Sequence, residues 1–243
     1  MYNYRLFEKV QRFKKFKLFF TLHSSLFTVV IKTFPVNPLG ENCYVVSDET
    51  REAVIIDCGA MYEAEKKAIA DYITQNELRP VAHLLTHAHF DHLFGAGFIH
   101  EHYGLAARCP EGDLAMFNDI DGQMRAILGG HAMECHTGPA GEVVTTDTIV
   151  RFGSHSLTVI PTPGHTPGGV CYYCEAEHVL FSGDSLFQLS IGRTDFPGGN
   201  HWDLIRALTH LLRDLPDDVT IYPGHGPATN ALTERLHNPY LAG

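Results

Sequence analysis

Residues 86–92 read T-H-A-H-F-D-H, and four of them, His87, His89, Asp91 and His92, carry side chains that bind metal ions. Imidazole nitrogen and carboxylate oxygen both suit zinc, iron or manganese. Just upstream, V-A-H-L-L at 81–85 is an apolar run of strand length, so the ligands begin where a buried strand ends. Open α/β sheets place their chemistry at such ends. The i, i+2 spacing of His87 and His89 lets both rings point one way from an extended or looped backbone, whereas a helix would splay them. One histidine near a strand end is ordinarily a surface or hydrogen-bonded residue, and His83 is read that way. Four ligand-type residues in six are different, because that polarity is desolvated at a cost unless a cation neutralises the carboxylate and uses the ring lone pairs.

Working outward, the strand-then-ligand pattern recurs. Upstream, T-V-V-I-K-T-F, N-C-Y-V-V and A-V-I-I-D-C predict a meander of short strands separated by turn-rich P-V-N-P-L-G-E and S-D-E-T-R-E. Asp57 ends the third strand beside Cys58, which reads as a small buried thiol. Residues 61–75 predict a helix with Ile69, Tyr72 and Ile73 on its apolar face. Downstream, residues 93–104 look helical and 106–109 return as a short strand. Residues 110–147 are the least readable stretch, with a helical piece over 114–128 broken by Gly129, Gly130, Gly138 and Gly141, and His131 and His136 there are expected to be solvated. Strand character resumes at T-I-V-R-F and H-S-L-T-V-I, the latter running into P-T-P-G-H-T-P-G-G, where a Gly/Pro turn fixes the direction of His165. H-V-L-F-S-G-D brings Asp184 directly after a third strand, and V-T-I-Y-P-G-H-G brings His225 after a fourth. Between them Leu204, Ile205, Leu208, Leu211 and Leu212 form the stripe of an amphipathic helix, and a last helix covers about 232–236.

Composition narrows the function classes. The chain has 243 residues, enough for one substantial core, with 44% hydrophobic and 19% charged residues, so wholesale disorder is excluded. Residues 1–27 hold six basic residues against Glu8 and carry +5; the rest holds 12 basic and 27 acidic residues and carries −15. An acidic body argues against nucleic acid, which needs basic stripes, and favours small-molecule substrates. No run reaches the eighteen or so apolar residues of a membrane span. The basic, aromatic 1–27 lacks a signal-peptide pattern and is expected to be a dispensable or poorly ordered extension before a domain over 28–243. Six cysteines without framework spacing suit reduced thiols in the cytoplasm, and the lone C-Y-Y-C of Cys171 and Cys174 is a weak metal signal.

Taken in order, T-H-x-H-x-D-H, P-G-H-T-x-G, G-D and P-G-H-G resemble the signature of the metallo-β-lactamase superfamily. The resemblance runs from about residue 28 to the C-terminus. It is closest to the compact glyoxalase II-like (hydroxyacylglutathione hydrolase-like) branch, through G-R-T-D-F-P-G-G, P-G-H-G-P-x-T and N-P-Y-L. It implies an α/β fold, an αββα sandwich of two mixed sheets flanked by helices. It further implies two divalent cations, zinc first with iron or manganese as alternatives. One would lie on His87, His89 and His165 and the other on Asp91, His92 and His225, with Asp184 between them and a hydroxide bridging the ions.

Such a centre implies a metal-dependent hydrolase of a small thioester, with Asp91 both ligand and proton carrier. Classical hydroxyacylglutathione hydrolases carry a further C-terminal helical region that grips glutathione, which this sequence does not show, so the thiol carrier stays open. The principal rival is a persulfide dioxygenase-like mononuclear iron oxidoreductase, which shares H-x-H-x-D-H and G-R-T-D-F. A non-catalytic metal-binding scaffold is the third reading and expects eroded ligands, whereas all seven are intact. Arg193 and Asp195 are read either as substrate contacts or as a pair shaping their own loop.

Overall fold

The structure, a computed structural model, describes residues 28–129 and 135–241. The expectations for residues 1–27 and for His131 lie outside the described residues. Alternating short segments build two sheets. In the first, β1 (Val30–Val36), β2 (Glu41–Ser47), β3 (Glu52–Ile56), β4 (Arg79–Leu84) and β5 (Ala107–Arg108) lie side by side in chain order. The pairings β1–β2 and β2–β3 are antiparallel, and β3–β4 and β4–β5 are parallel. The second sheet is built from β6 (Ile149–Phe152), β7 (His155–Pro161), β8 (Val170–Cys174), β9 (Val179–Gly183), β12 (Thr220–Pro223) and β13 (Thr229–Asn230), in the order β13-β12-β9-β8-β7-β6. A small hairpin of β10 (Leu186–Phe187) and β11 (Ser190–Ile191) stands apart.

The period-two alternation explains why the sheets stack. Tyr44, Val46, Val54, Ile56 and Leu84 turn to one face and meet Phe152, Leu157, Tyr172 and Phe181 of the other sheet in a shared core. Their sequence neighbours Cys43, Val45, Ala53 and Ile55 turn outward and are covered by Ile69 and Ile73 of α1 (Glu63–Gln75) and Ile99 of α2 (Ala96–Tyr103). On the opposite side, Leu180 and Ile221 meet Leu204, Leu208, Leu211 and Leu212 of α5 (His201–Asp214). This gives helix, sheet, sheet, helix, the sandwich expected.

The region read as one helix over 114–128 is two, α3 (Leu114–Asn118) and α4 (Ile120–Leu128). Asp119 separates them with non-helical dihedrals, and its side chain accepts the Gly122 N–H to cap the second. The chain closes with α6 (Ala231–His237).

His83 is a correction. It is neither on the surface nor hydrogen-bonded: it is 0% exposed on β4 and both ring nitrogens lack a partner. β4 lies inside the sheet between β3 and β5, so a side chain there is covered whatever its polarity. Burial pushes the ring's pKa down to about 3 and keeps it neutral.

Candidate metal centre

Strand direction brings the ligands together. β7 and β9 both run antiparallel to β8, and β12 runs parallel to β9, so β7, β9 and β12 all end at one edge of the second sheet. There they deliver His165, Asp184 and His225. From the first sheet β4 ends at the same seam and delivers His87, His89, Asp91 and His92, the last two in a short 3₁₀ turn over Phe90–His92. Two glycines make room. Gly183 has φ +49°, and a side chain there would strike Thr86; at Gly224 a Cβ would come within 2.2 Å of Asp184 Oδ1.

All seven sequence-predicted residues converge. Ligand atoms of His87, His89 and His165 lie within 4.8 Å of one another, as do those of Asp91, His92 and His225. Between the sets stands Asp184, with Oδ1 3.4 Å from His92 Nε2 and Oδ2 3.6 Å from both His165 Nε2 and His225 Nε2. Asp91 Oδ2 lies 3.2 Å from His225 Nε2. His87 is 2% exposed and His92 0%, whereas the side chain of Asp184 is 12% exposed and that of His225 24%, so the cleft opens on the His225 side.

The residues fit a cation by their unmet demands. His87 Nε2, His92 Nε2 and Asp184 Oδ1 are buried without a hydrogen-bond partner. His89 Nδ1 and His165 Nε2 face each other at 2.9 Å, a separation at which two lone pairs repel unless a proton or cation lies between them. The opposite ring nitrogens are fixed. His165 Nδ1 donates to the Arg193 carbonyl at 2.7 Å and His225 Nδ1 to the Leu39 carbonyl at 3.1 Å, so each Nε2 turns its lone pair to the cleft.

Electrostatics point the same way. Burial, reinforced by neighbouring histidines, holds His87 well below the usual imidazole pKa, and burial and His165 push His89 down to about 3. Burial would raise Asp91 and Asp184, yet His92 and His225 outweigh it and both stay ionised. Burial would likewise lower His92, but Asp184, Asp57 and Asp91 overcome it and raise that ring's pKa. Against burial, Asp91 and Asp184 raise His225 as well, so a divalent cation held by these residues would compete with a proton at His92 and at His225.

A surrounding layer was mostly missed from the sequence. Asp57 accepts the Thr86 N–H and hydroxyl, both at 2.8 Å. Asp113, fully buried in the stretch that read worst, accepts from the Ala88 N–H, the Thr166 hydroxyl and the Gly168 N–H. Gln123 accepts the Phe90 N–H and donates to the Ala88 carbonyl. Asn37 donates to the carbonyls of Gly59 and Asp91. Only Asp57, at a strand end, gave a sequence signal. Arg193 and Asp195 form a bidentate pair at 2.8 Å, with the guanidinium 3.8 Å above the Phe196 ring. Phe196 in turn packs against His89.

A family model described as the metallo-beta-lactamase superfamily matches residues 36–225. The chain belongs to the metallo-beta-lactamase superfamily. Within it, the chain is 35% identical over 213 residues to the probable metallo-hydrolase YqgX of Bacillus subtilis, covering 87% of this chain and 97% of that one. It is 32% identical over 216 residues to the hydroxyacylglutathione hydrolase GloC of Haemophilus influenzae, with the same coverage. Among solved structures, the B3 metallo-beta-lactamase BLEG-1 superposes with a TM-score of 0.80 at 35% identity, covering 88% of this chain and all of that one. TTHA1623 in a di-iron-bound form gives 0.74 at 36%, covering 86% and 100%. ETHE1 from Myxococcus xanthus gives 0.69 at 27%, covering 88% and 85%. The superfamily and the His/Asp clusters together make this a divalent-metal site of a metallo-hydrolase fold.

Proposed function

We propose that the protein hydrolyses small thioesters with two divalent cations, one held by His87, His89 and His165, the other by Asp91, His92 and His225, with Asp184 shared. The position of Asp184 carries this reading, since its two oxygens reach both histidine sets at 3.4–3.6 Å. When bound, such a pair of cations supplies Lewis acidity toward an acyl carbonyl and acidifies a water. The chain's own groups do the rest. His225 and Asp91 line the open side of the cleft, and the Asp91 carboxylate holds and returns the proton that attack on the acyl carbon releases. Phe196 and Phe187, whose rings lie against His89 and His225, form an apolar rim for the acyl or thiol portion.

Likeness to GloC supports the thioester class, and likeness to the di-iron form of TTHA1623 supports a two-ion centre with iron as an alternative to zinc. A mononuclear iron persulfide dioxygenase is the second reading, favoured by the likeness to ETHE1. It shares H-x-H-x-D-H but needs only three ligands for one iron, so His225 completing a second set with Asp91 and His92 favours hydrolysis. All six cysteines are free thiols, which suits a reducing compartment such as the cytoplasm. No helix among the described residues is long and apolar enough to cross a membrane.

The test is metal analysis of the purified protein, followed by a panel of small thioesters, a β-lactam, and a persulfide with oxygen uptake recorded. Two ions per chain with thioester turnover is the expected result. One iron per chain with oxygen consumption would overturn it in favour of the second reading.

A further inference from the structure

Glu41 is a carboxylate with nothing in the proposed chemistry to do, yet it is 0% exposed. Its Oε2 accepts the Gly59 N–H at 2.8 Å, while its Oε1 is buried without a hydrogen-bond partner. That orphaned oxygen lies 3.8 Å from His92 Nδ1. The same ring nitrogen lies 3.1 Å from Asp57 Oδ2, outside hydrogen-bond geometry, and is itself without a partner. Asp57 is already occupied by the two donors of Thr86. His92 therefore has one nitrogen facing Asp184 and Asp91 and the other facing two buried carboxylates, Asp57 nearer and Glu41 with an oxygen that has no other partner.

The backbone around Glu41 reaches the other members of the same set. Glu41 forms an isolated bridge with His225, and Asn42 N–H donates to the Gly224 carbonyl at 2.7 Å. Asn42 Nδ2 donates to the carbonyls of Pro223 and Gly226, on either side of that histidine. Through Gly59, whose carbonyl shares the Asn37 amide with that of Asp91, Glu41 is tied to the third ligand. His87, His89 and His165 rest instead on Thr86 and on Asp113. Asp57, which holds Thr86 and faces His92, touches both sets, whereas Glu41 touches the second alone.

We propose that Glu41 is a positioning residue for the second cation. Its carboxylate shares the His92 Nδ1 proton with Asp57 and holds the ring with Nε2 toward Asp91 and Asp184. Occupancy of the Asp91–His92–His225 set then depends on Glu41, and occupancy of the His87–His89–His165 set does not. The proposal rests on the two-cation reading but not on any substrate. A carboxylate behind a ligating histidine raises ligand basicity and fixes the tautomer, and its loss weakens binding ~10–100-fold.

The experiment is zinc titration of the full chain against a competing chelator, with stoichiometry after dialysis, for the parent and Glu41→Gln. The amide keeps the shape and replaces the carboxylate. Expected is one ion weakened ~10–100-fold with the other unchanged and the metal-free melting temperature retained. Equal weakening of both ions would reveal a merely structural role and overturn the proposal, as would no weakening at all. Should the amide variant fail to fold, Glu41→Asp decides, since it keeps the carboxylate but withdraws it by one methylene; the second ion must again weaken alone. A parent that holds one ion overturns the two-cation reading and this proposal with it. A parent that holds two, beside an indifferent variant, overturns this proposal only.

Discussion

Asp113 accepts the Thr166 hydroxyl at 2.7 Å, joining a loop from one sheet to a loop from the other. The same carboxylate takes the Ala88 N–H between His87 and His89 and the Gly168 N–H beyond His165, so one buried acid aligns all three candidate ligands of the first set. In Asp113→Asn the amide must present its NH₂ to at least one of these donors. A buried unsatisfied donor costs about 1–3 kcal/mol. The variant is expected to lose stability of that order and to bind the first cation more weakly than the second. Denaturant melts and metal stoichiometry check it, and an unchanged first-site affinity would count against the role.

Asp184 and His225 separate the two sets by another route. Asp184→Ala is expected to weaken both cations together, because both sets face its oxygens. His225→Ala leaves the His87–His89–His165 set whole and should release one ion. Metal content after dialysis distinguishes them; two ions retained by Asp184→Ala at near-parental affinity would remove the shared-ligand role.

Asp91→Asn keeps a side chain of the same shape but has no anionic charge and a far weaker affinity for a proton. Turnover of a thioester, normalised to bound metal at saturating zinc, is expected to fall by the ~10²–10⁴-fold typical of lost acid–base help. Normalised activity within a factor of a few of the parent would leave Asp91 a ligand only.

Two buried histidines away from the cleft respond to pH with opposite sign. His155 sits between Asp48 and Glu177, each at 3.1 Å. Burial lowers its pKa, but those two carboxylates outweigh burial and raise it. A raised histidine stabilises the fold fully below its unfolded pKa of ~6.5 and loses that contribution as pH rises through the folded value. Asp48 is depressed and adds stability above ~3.9 that fades as pH falls. His83, pushed down to about 3, costs stability as pH falls below ~6.5, because only the unfolded chain takes up the proton. Melting curves from pH 4.5 to 8.5 should show His155→Gln destabilised more at pH 5.5 than at 8.5. His83→Leu should gain most at the acid end. Parallel curves for parent and variants would contradict both assignments.

Much of the fold was legible because its determinants are local. Tyr44 and Val46 alternate with Cys43 and Val45, and Leu204, Leu208 and Leu212 repeat at helical spacing, so each element announces its buried face. The seven candidate ligands were legible because each follows a strand in a Gly-rich or ligand-dense turn. Asp113 and Gln123 were not, since a hydrogen bond to a backbone amide far along the chain leaves no spacing rule behind. Glu41 was hidden for a related reason: in G-E-N it reads as a turn residue, and only the packing of β2 against the ends of β4 and β12 buries it. His83 misled because its polarity was weighed without the cover that β3, β5 and the helices provide.

The cleft straddles the seam between the sheets, with four candidate ligands entering from β4 and three from β7, β9 and β12. Cations held there would act as rivets between two layers otherwise joined by side-chain packing and by hydrogen bonds such as Thr166 to Asp113 and Tyr172 to the Leu85 carbonyl, closing loops of up to about 140 residues. The native chain offers this arrangement and the unfolded chain does not, so bound metal adds to stability by mass action. Because riveted layers must part before the shared core is wetted, chelation should speed unfolding and open the interior to proteases, even under conditions where no substrate is turned over.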